Sequence, residues 1–170
     1  MTTRGGLLAI AAAWSVALCP SPAAAVTQNA SVTATVAKPL TLTALQDLDL
    51  GTITLKPGTW SSAAVAISRS GAFSCDAANL VCTGLTQVAR YKVTGSNKQI
   101  VTISAPNVIL TNQSDSTQTL TLVVDGPGQV VLTSSGQPGN TFDLGGSIAL
   151  TPTAASGTYQ GSFNVTVDYQ

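Results

Sequence analysis

The sequence predicts an all-β protein, a sandwich or barrel, and three observations carry that expectation. Apolar and polar residues alternate with a period of two in several short runs. Those runs are rich in Val, Thr and Ile, and Gly, Pro and Asn punctuate them about every ten residues. No stretch beyond the N-terminal leader shows a helical period.

The leader comes first. Arg4 is the only charge before Lys38, and residues 5–18 form an apolar run ended by Pro20, Pro22 and three alanines at 23–25. A charged start, a short apolar stretch and a small-residue cleavage site predict a signal peptide over residues 1–25, with Val26 as the mature N-terminus. The run is too short for a membrane span, so none is expected once the leader is removed. Leu18 is larger than the residue that normally precedes a lipid-modified cysteine, which argues against an anchor at Cys19.

Residues 26–42 form the next unit. Ala30, Val32, Ala34, Val36, Leu40 and Leu42 alternate with Ser31, Thr33, Thr35 and Thr41, interrupted only by Lys38 and Pro39. That pattern predicts a strand from Ala30 to Leu42. Residues 43–170 then read as one sandwich domain. Strands are expected at Ala63, Val65 and Ile67, and at Ala89, Tyr91 and Val93 with Arg90, Lys92 and Thr94 facing water. Residues 99–104 and 107–111 follow around Pro106, then 119–125, 129–133 and 147–151. Turns are expected at 56–58, 95–97, 125–128, 135–139 and 145–146.

Residues 157–170 give the cleanest signal. Tyr159, Gly161, Phe163, Val165, Val167 and Tyr169 fall on one face, and Gln160, Ser162, Asn164, Thr166, Asp168 and Gln170 on the other. One half-buried strand is expected there. An alternating strand at the chain end must find neighbours inside this domain or from another chain.

Composition narrows the chemistry. Without Arg4, six of the seven basic residues remain against seven aspartates, a net charge of −1. Nucleic acid is therefore not an expected partner, because a basic face is missing. Charged residues are only 8%, and hydroxyls and amides must hold the surface in solution. The mature chain, 170 minus 25 or 145 residues, suffices for one core.

Removing the leader also removes Cys19 and leaves Cys75 and Cys82 in an oxidising compartment. Seven positions apart, they close a tight loop as a structural disulfide. The chain-entropy argument values such a loop at about 2.5 kcal/mol. A redox pair fits poorly because the spacing is not C-x-x-C, and with no histidine anywhere no zinc set completes.

Catalytic equipment is missing. With neither histidine nor glutamate, no serine has an ordinary base, and no S-x-x-K motif offers a lysine instead. No glycine pattern suits a phosphate. Asp47 and Asp49 share a strand face and suggest a calcium pair, but no carbonyl-rich loop or third carboxylate surrounds them, so a turn role is preferred. Trp60 is read as loop packing rather than a sugar platform. The sequons at Asn29, Asn112 and Asn164 are read as chance matches unless the source glycosylates them. No enzyme, cofactor or metal is expected.

The two ends resemble a known class. Tyr169 is penultimate, Gly157 is fourteenth from the end, and the segment from Val26 to Val36 alternates like a donor strand. These features resemble chaperone–usher pilin subunits of Gram-negative bacteria. That resemblance implies an incomplete immunoglobulin-like β-sandwich whose groove is filled by another subunit's N-terminal strand. It implies Ala30, Val32, Ala34 and Val36 as donor residues. The assembly edge would carry Gly157, Tyr159, Phe163, Val165, Val167 and Tyr169. Implied partners are other copies or related subunits, a periplasmic chaperone and an outer-membrane usher. The location would be a surface fibre or the extracellular space, after transit through the periplasm. The tight Cys75–Cys82 loop departs from the longer bridge of many pilins.

The stretch 34–53 and the tripeptide Gly157-Thr158-Tyr159 also resemble a secreted bacterial family named only as a domain of unknown function. The expected function is a structural fibre subunit. The alternative is a self-complete immunoglobulin-like domain that binds a glycan or protein through loops 58–62 and 75–82, with residues 30–42 as its ordinary first strand.

Overall fold

The computed structural model describes residues 26–170, and the expected signal peptide lies outside them. The chain divides into two units, Met1–Thr35 and Val36–Gln170. In the first, residues 26–35 are exposed and carry no strand. The second holds all the strands, and no helix occurs among the described residues.

The strands are short, as β-branched runs cut by turn residues should be. They are β1 (Thr41–Gln46), β2 (Thr52–Leu55), β3 (Ala63–Ile67), β4 (Phe73–Cys75) and β5 (Leu80–Thr83). There follow β6 (Ala89–Thr94), β7 (Ile100–Ser104), β8 (Val108–Asn112) and β9 (Thr119–Asp125). The last are β10 (Gln129–Val131), β11 (Asn140–Leu150), β12 (Tyr159–Gln160) and β13 (Thr166–Tyr169). One large sheet runs β1-β6-β11-β9-β8-β12, with β3 joining β11 to β4. A three-stranded sheet, β10-β7-β13, and a ribbon, β2-β5, complete the set. Every ladder is antiparallel.

Two core clusters show how these layers stack. In one, Val101 and Ile103 of β7 and Leu132 pack with Val93 of β6 and with Phe142 and Leu144 of β11. In the other, Leu80 of β5 packs with Val65, Leu122 and Ile148 from β3, β9 and β11. The large sheet is thus one layer, covered at one end by β10-β7-β13 and at the other by the β2-β5 ribbon. Leu48, Val124 and Phe163 pack against both clusters and join them. The expected all-β sandwich class holds.

Three expectations about individual strands are corrected. First, residues 26–40 form no strand, and pairing begins only at Thr41. Second, Gly145 and Gly146 are not a turn but the middle of β11, which pairs β6 through Asn140–Leu144 and β3 through Gly146–Leu150. A Cβ at Gly145 would collide with the backbone at Ile67 and Ser68, and one at Gly146 with Leu122. The glycines are there for close approach between strands, not for a bend. Third, residues 157–170 split into β12, paired with β8, and β13, paired with β7. The segment between them crosses from one sheet to the other. Its alternation survives the crossing: Tyr159, Phe163, Val165, Val167 and Tyr169 are half-buried, while Gln160, Ser162, Asn164, Thr166, Asp168 and Gln170 are exposed.

Candidate functional site: an unpaired arm and an open seam

The arm is unusual for what it leaves uncovered. Val26, Val32 and Val36 are 81%, 93% and 92% exposed, and Ala30 and Ala34 are exposed too. Apolar residues at every second position, two of them β-branched, suit a pleated, half-buried surface, yet here they are exposed. The donor residues carry no strand, and of the alternative first strand, residues 30–42, only Thr41 and Leu42 pair, with β6.

At its inner end the chain is held firmly. Lys38 donates its backbone N–H to the Ser96 Oγ at 2.6 Å. The Tyr169 hydroxyl donates to the Lys38 carbonyl at 2.6 Å and accepts the Ser96 N–H, also at 2.6 Å. Gly95 makes room for this junction, since a Cβ there would press on the Tyr169 hydroxyl, Leu40 and Leu132. Pro39 adds a restriction, because the residue before a proline is driven towards extended backbone.

β1, which begins three residues after Lys38, and β13, which ends at Tyr169, are edge strands. β1 pairs only with β6, and β13 only with β7. Their inward side chains, Leu42, Val167 and Tyr169, are half-buried and pack against the same cluster. Ala44, which faces Tyr91 across the ladder, is exposed. By contrast, the inward residues Val93, Val101 and Leu144 on the inner strands have no exposure. Along these edges, the seam, the core is less covered than inside the sheets, and the outer edge of β13 offers unpaired backbone groups.

The C-terminal residues serve distinct tasks. Gly157 has a φ of +147°, which favours glycine, and a Cβ there would strike the Asn112 side chain. Asn112, 2% exposed, donates to the Ser156 carbonyl at 3.0 Å and accepts the Ser114 N–H at 2.8 Å. That burial removes the Asn112 sequon as a glycan site. Tyr159 donates its hydroxyl to the Ala155 carbonyl at 2.9 Å. Val165, Val167 and Tyr169 pack half-buried against the cluster around Val93 and Leu144.

The remaining candidates take structural roles. Cys75 and Cys82 form a disulfide joining β4 to β5, and so tie the large sheet to the ribbon. Both cysteines lie on strands, Cys75 at the end of β4 and Cys82 within β5, rather than in an open loop. Asp49 accepts the Gly51 N–H at 2.8 Å and pairs its backbone with Gln87, as a turn aspartate does. Trp60 donates its indole N–H to the Lys56 carbonyl at 3.3 Å and packs on the core.

Electrostatics are sparse. Arg90 grips Asp143 with two bonds of 2.7 and 2.9 Å on the exposed face of β6 and β11, and that carboxylate raises the arginine further. Burial, then the charge of Asp47, pushes the Tyr91 hydroxyl above its ordinary value. Hydrogen bonds from Thr117 hold Asp115 below the usual carboxylate range. No cluster of three His, Cys, Asp or Glu residues occurs among the described residues. A shallow groove of about 540 Å³ on the outer sheet face is lined by uncharged groups such as Thr121, Ser147 and Ala149. Among the described residues, no helix is long and apolar enough to cross a membrane.

These features define a class: a β-sandwich with an open edge and an unpaired N-terminal arm. The chain belongs to the family described as domain of unknown function DUF4402, which it matches over residues 40–169. The match covers the sandwich from the residue before β1 to the end of β13. No curated protein and no solved structure matches the chain.

Proposed function

We propose that this protein is an exported, non-enzymatic subunit of a surface fibre, assembled when the arm of one copy completes the sandwich of the next. The observation that carries the reading is the arm itself. Alternating apolar residues lie exposed at Ala30, Val32, Ala34 and Val36, in a chain whose β13 keeps a free edge over a half-covered core. Exposed apolar alternation and an unpaired edge are both aggregation hazards when left alone. Each answers the other through strand addition, with backbone groups providing affinity and alternate side chains filling the seam. The interface is head-to-tail, so it propagates into a fibre rather than a closed dimer. Its partners are further copies or related subunits. A periplasmic chaperone would shield the seam before an outer-membrane usher directs assembly.

An SDS gel of surface extracts, unheated and boiled, tests this. A strand-exchanged fibre persists as a ladder in unheated SDS and collapses on boiling. A single monomer band in both lanes, from cells that export the protein, sinks the fibre and leaves a self-complete binding domain.

A further inference from the structure

We infer that Tyr169 and Ser96 form a latch that positions the arm for donation; the inference rests on the strand-donation reading. Three hydrogen bonds of 2.6 Å converge on Lys38 and Ser96, and they involve three separate parts of the chain. These are the base of the arm, the turn between β6 and β7, and the end of β13. Both backbone polar groups of Lys38 are taken: its N–H by the Ser96 hydroxyl, its carbonyl by the Tyr169 hydroxyl. Pro39 restricts Lys38 from the other side. The backbone is therefore fixed in direction at Lys38, three residues before β1 begins.

A sandwich does not need this arrangement to cover its core. The Tyr169 ring already packs against the cluster, and a phenylalanine would do the same. What the hydroxyl adds is order at the root of a segment that has no partner of its own. Strand addition must freeze the arm, and each residue already held reduces the entropy lost on pairing. The latch thus acts on donation and not on acceptance, although Tyr169 belongs to the accepting edge strand. Tyr169 and Ser96 are positioning residues.

The test separates those two roles. A trace amount of full-length exported chain, fluorescently labelled, is titrated with an unlabelled chain carrying Val32→Asp and Ala34→Asp, which can accept a strand but not donate one. Donors carrying Tyr169→Phe or Ser96→Ala should bind about 5- to 30-fold more weakly than wild type, the cost of fixing the backbone of one residue on pairing. Placed instead in the accepting chain, with a wild-type donor, Ser96→Ala should change binding by less than about 2-fold. Ser96→Ala lies off the edge strand, so it preserves the test if Tyr169→Phe disturbs folding. Equal losses in both directions, or none in either, overturn the latch while leaving strand donation standing. Failure of the wild-type donor to bind refutes strand donation itself, and the latch falls with it.

Discussion

Val32→Asp separates an arm that works between chains from one that belongs to its own domain. Val32 is 93% exposed, so the substitution removes almost no buried surface from the isolated subunit. Its stability should stay within about 0.5 kcal/mol of wild type. In a donated strand the valine enters a neighbour's seam, where burying it is worth about 1.5–3 kcal/mol. An aspartate there forfeits that gain and brings a polar group without a partner, a further penalty of about 1–3 kcal/mol. At about 3 kcal/mol or more per junction, association should weaken more than about a hundredfold. Urea unfolding followed through Trp60, which packs on the core, reports the first quantity. The heat-sensitive SDS ladder reports the second. A monomer destabilised by more than about 1 kcal/mol would show that Val32 packs within its own chain. Ladders that survive the substitution would equally refute the donor assignment.

The remaining expectations concern the sandwich. Gly145→Ala forces a methyl group against the Ile67–Ser68 backbone and should destabilise by about 2–3 kcal/mol in urea, whereas Gly136→Ala, with open space around it, should shift the midpoint little. Replacing both Cys75 and Cys82 by serine should lower stability by about 2.5 kcal/mol, read from the same unfolding curves. Tyr91 holds its proton more tightly in the folded state, so the folded protein is favoured fully below the ordinary tyrosine value of about 10. That contribution is lost as pH rises through the raised folded value. Tyr91→Phe, which keeps the ring stacked on Phe142, should flatten the alkaline fall in stability.

The faces of strands were legible in the sequence, and their partners were not. Alternation located β3, β6, β7, β8 and β9 because each has one side on the core, and a period of two records nothing else. The same signal predicted a strand over residues 30–40, where the structure has none. Alternation states that a segment would make a good strand; whether a neighbour exists is a property of the whole chain or of another one. The two glycines inside β11 misled for a related reason. Glycine marks both turns and close backbone approach, and only the position of Ile67 and Ser68 distinguishes them. β2, β4 and β5 escaped because three or four residues carry too little periodicity; β10 and β13 are as short, but longer β-branched or alternating runs mark them. Of the candidate site, the arm and the last strand were visible as patterns. The latch was not, since its three members lie at positions 38, 96 and 169 and meet only in the fold.

The position of that latch also bears on whether the arm serves its own chain. Lys38 is held at the C-terminal end of β13. An arm folding back along its own β13 would then approach Tyr169 as β13 does, and the two would run in the same direction. Every ladder in this sandwich is antiparallel, and parallel pairing is slightly weaker per residue. The arm of a second copy carries no such tether and is free to enter the seam antiparallel. Under the strand-donation proposal, pairing within one chain would thus be the parallel and slightly weaker option, while the arm of a second copy would not carry that constraint.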